Sequence, residues 1–86
     1  MAYSVQIAPA AERQLRKLSK SIQQQITKRL LELESNPRPD GVKKLEGEKD
    51  LYRLRVSDSR IVYMVQDQAL LVLVVKVGHR KEVYRR

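Results

Sequence analysis

The first half of the chain changes from a period of two to a helical period. Residues 3–7 alternate between apolar and polar side chains, which predicts a half-buried strand. Residues 8–18 then carry apolar side chains at helical spacing, and Pro9 is tolerated in the first turn of the short helix that this spacing predicts. The chain is therefore expected to open with one strand and one helix.

The strongest helical pattern follows Ser19 or Ser21, either of which can cap a first turn. Apolar residues three or four positions apart predict one buried face, formed by Ile22, Ile26, Leu30 and Leu33. The helix is expected to end at residues 36–41, NPRPDG, because proline cannot continue it. The two helices would form a helical hairpin.

The second half of the chain returns to a period of two after a loop rich in lysine and glycine. Three strands are predicted, at residues 51–56, 60–65 and 70–77, joined by turns at residues 57–59 and 67–68. The last strand is apolar on both sides, as expected of an interior strand. The predicted fold is α+β, in the order β-α-α-β-β-β, with two N-terminal helices packed on a small twisted antiparallel sheet.

The length of 86 residues predicts one domain over residues 1–86. The long, largely apolar run at residues 69–77 is far short of the roughly 20 residues that span a bilayer, so no membrane association is expected. The first residues do not resemble a secretory signal, and cysteine is absent. These features predict a cytoplasmic protein.

The net charge of the chain favours an anionic partner. The chain has 18 Lys and Arg against 10 Asp and Glu, which gives a formal charge of +8. Such an excess favours a polyanion, because neutralising phosphates releases condensed counterions. Solubility alone and an acidic protein partner are the alternatives.

Metal and nucleotide chemistry are not expected from this sequence. One histidine and no cysteine cannot supply a transition-metal site without several carboxylates, and the acidic residues have no recognisable ligand spacing. The three glycines are scattered and form no phosphate-binding loop. We therefore expect neither a metal nor a small-molecule cofactor.

Arginines supply the candidate chemistry. Arg53 and Arg55 share one side of a predicted strand, and Arg60 begins the next strand across a short turn. Because neighbouring strands lie about 4.8 Å apart, the three guanidinium groups can converge, and Arg80 can add a fourth if the last strand lies beside this hairpin. Guanidinium groups bind phosphate bidentately and stabilise a phosphorane. The alternative is a solvated strand face, which the same alternation also fits.

Two segments resemble the RelE branch of the RelE/ParE toxin superfamily. Residues 51–63, LYRLRVSDSRIVY, are similar to the family's hairpin, and residues 77–84, VGHRKEVY, are similar to its C-terminal ending. Residues 44–47, KLEG, are a weaker match to a lysine-leucine-glycine loop. The resemblance extends over nearly the full chain and implies a microbial-ribonuclease-like fold.

The resemblance also implies a function and a set of residues. It implies a cytoplasmic toxin that is neutralised by an acidic antitoxin and that cleaves messenger RNA in the ribosomal decoding site by 2′-hydroxyl attack. The catalytic residues that it implies are Arg53, Arg55, Arg60, Arg80 and Tyr84. Further basic residues are assigned to RNA binding, namely Lys43, Lys44, His79 and Lys81.

One departure from the family concerns the general base. Family members often have lysines where this chain has Arg53 and Arg55, and an arginine cannot serve as a base in practice. Tyr84 is the first candidate base, because neighbouring guanidinium groups would favour its phenolate, and His79 is the second.

Two alternative functions follow from the same features. A ParE-like toxin shares the fold but inhibits DNA gyrase without nuclease activity. A basic module that holds RNA without cutting it is the third hypothesis, and it predicts salt-sensitive binding without products.

Overall fold

The computed structural model describes residues 2–45, 47 and 50–79. The first part of the chain forms a strand and two helices, and the second part forms four strands. In chain order the elements are β1 (Ser4–Ile7), α1 (Pro9–Arg16), α2 (Lys20–Glu32), β2 (Lys43–Lys44), β3 (Leu51–Val56), β4 (Ser59–Gln66) and β5 (Leu71–His79).

The strands form one sheet in the order β1-β5-β4-β3-β2. The three strands predicted in the second half, β3, β4 and β5, are antiparallel to one another as predicted, and β2 is antiparallel to β3. The prediction of an antiparallel sheet is wrong for β1, which pairs with β5 in parallel. The sheet is therefore mixed. A fifth strand, β2, lies in the segment predicted as a loop, because two adjacent lysines carry no periodic signal.

Both helices pack on one face of the sheet, and the α+β class predicted from the sequence is confirmed. The helices and the C-cap of α2 contribute Ala11, Ile26, Leu30 and Leu33 to the core. Strands β3 and β4 contribute alternate residues, and β5 contributes Val72, Val74 and Val77. The predicted apolar face of the second helix is confirmed, with Ile22 partly buried at its margin. No helix in the described residues is long and apolar enough to cross a membrane. The face of the sheet opposite the helices is called the outer face below.

Ser19 rather than Ser21 caps α2, and its hydroxyl accepts a hydrogen bond from the backbone N–H of Ile22 at 3.3 Å. Beyond the helix, the connection to β2 is anchored by Tyr63, which is fully buried and donates its hydroxyl to the carbonyl of Pro37 at 2.8 Å. Tyr52 stacks on Tyr63 with ring centroids 5.9 Å apart. These contacts fix the connection against the middle of the sheet.

An ion pair joins the same connection to the turn between β4 and β5. Arg38 donates two hydrogen bonds to Asp67, at 3.1 and 2.8 Å, and a third to the hydroxyl of Tyr52 at 2.8 Å. Tyr3 donates its hydroxyl to the same carboxylate at 2.7 Å. The hydrogen bonds from Arg38 and Tyr3 lower the pKa of Asp67. One carboxylate thus links segments that lie far apart in sequence.

We expect Asp67→Asn to lower the melting temperature at pH 7, because the amide loses the charge that Arg38 binds. The pKa of Asp67 is lower in the folded state than in the unfolded state. The stabilisation is therefore complete above the unfolded-state pKa of about 4, and it is lost as the pH falls through the folded-state pKa. Thermal unfolding at pH 7 and pH 3 should therefore show a gap between the wild type and the variant that narrows in acid. Asp40→Asn, at an exposed position, is the matched control. A gap of equal size at both pH values would contradict the assignment.

Candidate functional site

A two-residue turn sets the geometry of the candidate site. Ser57 and Asp58 connect β3 to β4, and Ser57 has a φ of 55°, in the left-handed region that tight hairpin turns use. The length and type of a hairpin turn fix the register of its strands. Here the register places Arg55 directly opposite Arg60.

The pairing of Arg55 with Arg60 is unfavourable unless an anion is present. Residues directly opposite each other on antiparallel strands have Cβ atoms roughly 5 Å apart, and like charges in that position are destabilising. Arg60 is only 7% exposed, and its side-chain hydrogen bond within the described residues goes to the carbonyl of Ser59 at 3.4 Å. Arg55 is exposed and makes no side-chain hydrogen bond or ion pair to another described residue. The pair is therefore suited to binding a phosphate.

The outer face continues as a second row of basic side chains. Arg53 lies two residues before Arg55 and therefore on the same face of β3. Its partner on β2 is Lys43, and its partner on β4 is Val62, which in turn lies opposite Lys76 of β5. Antiparallel partners share a face, so Lys43, Arg53 and Lys76 form a row across the sheet. This row and the Arg55–Arg60 pair are called the basic patch.

The structure brings most of the predicted residues that it describes onto the basic patch, but not all of them. Arg53, Arg55, Arg60 and Lys43 lie on the outer face. Lys44 is paired with Tyr52, and His79 is paired with Ser59, so the register places both on the face that carries the helices. The remaining predicted residues, Arg80, Lys81 and Tyr84, lie outside the described residues.

Sequence reasoning missed Lys76. In the apolar strand 70–77, alternation from the buried Val72 and Val74 assigns position 76 to the core face. The register shifts between Val62 and Tyr63, which pair with Lys76 and Val74, so Val75 is the extra residue of a β-bulge. The only sequence signal was the lysine itself, since a charged residue is rarely placed in a core.

Apolar side chains border the basic patch on the side away from the β3–β4 turn. Further along the same face, the register aligns Leu51, Met64 and Leu73, all of which are partly exposed. The outer face is therefore basic at the end that holds the β3–β4 turn and apolar at the other end. A polyanion would bind only the basic end.

A groove of about 570 Å³ lies beside Arg55, between the end of α2 and the β3–β4 turn. Arg29 and Arg55 line it, but so do the carboxylates of Asp40 and Asp58. Arg29 is also paired with Glu32 at 2.9 Å. The mixed charge makes this groove a poorer phosphate site than the outer face.

Three of the four tyrosines hold the fold together. Tyr3 binds Asp67, Tyr52 accepts a hydrogen bond from Arg38, and Tyr63 donates to Pro37. Burial raises the pKa of the Tyr63 phenol to about 12, so this hydroxyl stays protonated at neutral pH. Tyr63 belongs to the core, and Tyr52 packs against that core and stacks on the Tyr63 ring.

The described residues contain no group of three or more His, Cys, Asp or Glu side chains placed to hold a metal ion. The basic patch can instead bind one or more phosphates, because its arginines are planar, permanently charged donors. Such donors stabilise the charge that develops on a phosphorus centre during attack.

Comparison with known proteins gives consistent matches over nearly the whole chain. A family model described as ParE toxin of type II toxin-antitoxin system, parDE, matches residues 5–84. A RelE-like toxin protein of Escherichia coli is 42% identical over 83 residues, which cover 94% of this chain and 86% of that protein. The mRNA interferase toxin RelE of Escherichia coli strain K12 is 36% identical over 88 residues, with 98% and 92% covered.

Solved structures give the same result for the fold. The RelE chain in the crystal structure of the archaeal RelE–RelB complex from Pyrococcus horikoshii superimposes with a TM-score of 0.83 at 32% identity. The superposition covers 93% of this chain and 97% of that chain.

Proposed function

The chain belongs to the RelE/ParE toxin superfamily, as a RelE-type member, and we propose that it is a ribosome-dependent endoribonuclease that cleaves messenger RNA in the decoding site. The observation that carries this proposal is the opposition of Arg55 and Arg60 on the outer face of the sheet, where Arg55 is exposed and Arg60 is 7% exposed. Two like charges in that position are stabilised when a phosphate binds between them. The proposed protein would act in the cytoplasm, because its substrate is messenger RNA bound to translating ribosomes.

The proposed reaction needs no water nucleophile. The 2′-oxygen of the RNA attacks the adjacent phosphorus and forms a P–O2′ bond, while the P–O5′ bond breaks. The guanidinium groups of Arg55, Arg60 and Arg80 stabilise the negative charge on the non-bridging oxygens of the pentacoordinate phosphorane. The products are a 2′,3′-cyclic phosphate and a 5′-hydroxyl, with one proton leaving the 2′-hydroxyl and one joining the 5′-oxygen.

Tyr84 is the proposed general base. Arg53 and Arg55 cannot accept the proton, because a guanidinium group stays charged in proteins. The other three tyrosines make structural contacts, and the register puts His79 on the face opposite the basic patch. These observations support Tyr84, whose phenolate the neighbouring arginines would stabilise.

Primer extension on a translated messenger tests the proposal. Purified protein added to ribosomes that carry a defined messenger should produce new RNA ends within the codon held in the decoding site. The same messenger without ribosomes should remain largely intact. Translation that stops while the messenger stays whole would rule out the endoribonuclease.

An acidic antitoxin is the proposed protein partner. The net charge of +8 favours an acidic partner, and the Pyrococcus horikoshii relative was solved as a complex with RelB. An antitoxin that covers the basic patch would compete with RNA for the same arginines. Binding of the partner would also stabilise this small domain by mass action.

Gyrase inhibition is the second candidate, because the family model carries the ParE description. The relatives at 36 and 42% identity are named RelE, which favours the nuclease. A supercoiling assay separates the two. Inhibition of gyrase that Tyr84→Phe leaves unchanged would favour the ParE-like function.

A further inference from the structure

We infer that Lys76 binds a backbone phosphate of the RNA and that the β-bulge at Val75 brings it to the basic patch. This inference rests on the proposed function, since it extends the binding surface of the same site. If Lys76 binds phosphate, the RNA lies across the strands of the sheet rather than parallel to them.

Two features place Lys76 on the outer face, and a third concerns its exposure and its partners. It pairs with Val62, which pairs with Arg53 on the adjacent strand. The next residue, Val77, is 2% exposed and belongs to the core, so the preceding side chain points away from the core. Lys76 is partly exposed, and within the described part of the chain no carboxylate forms an ion pair with it.

The bulge is necessary for this placement. Val72 and Val74 point into the core, so a regular strand would also direct residue 76 into the core. The extra residue, Val75, reverses the alternation, and Val77 takes the core position instead. Bulges of this kind redirect side chains and are common next to active sites.

Contacts on both sides of Val75 hold the bulge in place. Before it, the carbonyl of Val74 accepts a hydrogen bond from the backbone N–H of Ala8 at 2.8 Å. After it, the backbone N–H of Val77 donates to the side-chain oxygen of Gln14 at 2.8 Å. Ala8, which precedes α1, and Gln14 of α1 therefore fix the segment on both sides of Val75. The position of Lys76 is thus determined by the fold.

The bulge completes a basic row across four strands. Lys43, Arg53 and Lys76 lie on β2, β3 and β5, and the intervening residue on β4 is Val62. With strands about 4.8 Å apart, the row extends over roughly 14 Å. This is longer than one phosphate group, so the row fits consecutive phosphates of a single strand. The Arg55–Arg60 pair then lies to one side of the row, where the scissile phosphate would bind.

RNA binding by Lys76→Gln tests the inference without relying on cleavage. The probe is a short single-stranded RNA with 2′-O-methyl groups throughout, which the proposed reaction cannot cut. Binding is measured over a range of salt concentrations. The slope of log K against log salt should fall by about 0.7 relative to the wild type, as expected for one lost phosphate contact on a single strand.

Two further variants make the result specific. Lys28→Gln removes the same charge from an exposed position on α2 and should leave the slope at its wild-type value. Lys76→Arg keeps the charge and should restore the wild-type slope. On programmed ribosomes, Lys76→Gln should raise KM and leave kcat almost unchanged, because a backbone contact is made equally before and during reaction.

The outcomes separate this inference from the proposed function. Equal slopes for Lys76→Gln and Lys28→Gln would overturn the role of Lys76, even if the wild type cleaves messenger RNA. A reduced slope for Lys76→Gln alone supports that role, even if no cleavage occurs on ribosomes and the endoribonuclease is rejected.

Discussion

Arg60→Ala is expected to reduce messenger cleavage on ribosomes by about 10²- to 10³-fold, as loss of one preorganised transition-state donor commonly does. Arg60 is 7% exposed and lies opposite Arg55, so its guanidinium group is held in place rather than free in solvent. A donor fixed in this way needs little reorganisation when charge develops on the phosphorus. Single-turnover cleavage of a programmed ribosome measures the effect directly.

Three controls accompany this prediction. Thermal unfolding of Arg60→Ala shows whether the variant is folded at the assay temperature. Arg13→Ala removes an arginine from an exposed position on α1 and should cleave at the wild-type rate. Arg60→Lys keeps the charge but loses bidentate geometry, and its rate should be intermediate. A folded Arg60→Ala that cleaves at the wild-type rate would show that Arg60 is not part of the active site.

Tyr84→Phe is expected to reduce cleavage by about 10²- to 10⁴-fold, the usual contribution of a positioned general base. His79→Ala should have only a small effect, because the register places His79 opposite Ser59 on the helix-bearing face. The contrast matters because Arg53 and Arg55 cannot accept a proton. Tyr84 is the proposed base, and His79 is the second candidate.

The measurement is the rate of cleavage at saturating enzyme for both variants. Phenylalanine keeps the ring of Tyr84 and removes only the hydroxyl, so a large loss reports on the phenol itself. A loss in His79→Ala with full activity in Tyr84→Phe would reverse the assignment of the base. Full activity in both variants would show that neither group accepts the 2′-proton.

Local patterns in the sequence were sufficient for the helices and the hairpin. The face of α2 could be predicted because its apolar residues recur at helical spacing, and the core contains three of its four predicted members with Ile22 at the edge. The convergence of Arg55 and Arg60 could be predicted because a short turn joins their strands, but the turn has two residues rather than the predicted three at 57–59, since Ser59 already pairs with Val56. Both features depend on residues that are close in sequence.

Features that depend on distant residues could not be predicted. The parallel pairing of β1 with β5 joins Ser4 to Leu71, and no local pattern specifies it. The hydrogen bonds of Arg38 to Asp67 join two turns that each appeared to be simple loops. The bulge at Val75 was hidden because the strand around it is apolar on both faces and shows no alternation, and this is why Lys76 was missed.

A messenger with one 2′-deoxynucleotide at the scissile position tests the central claim most directly. The claim is that arginines on separate strands stabilise a phosphorus centre that is attacked by the neighbouring 2′-oxygen. Ribosomes programmed with the all-RNA messenger should give products with a 2′,3′-cyclic phosphate and a 5′-hydroxyl, and the 2′-deoxy messenger should remain uncut at that site. Cleavage of the 2′-deoxy messenger at the same position, or products with a 3′-hydroxyl and a 5′-phosphate, would contradict the claim.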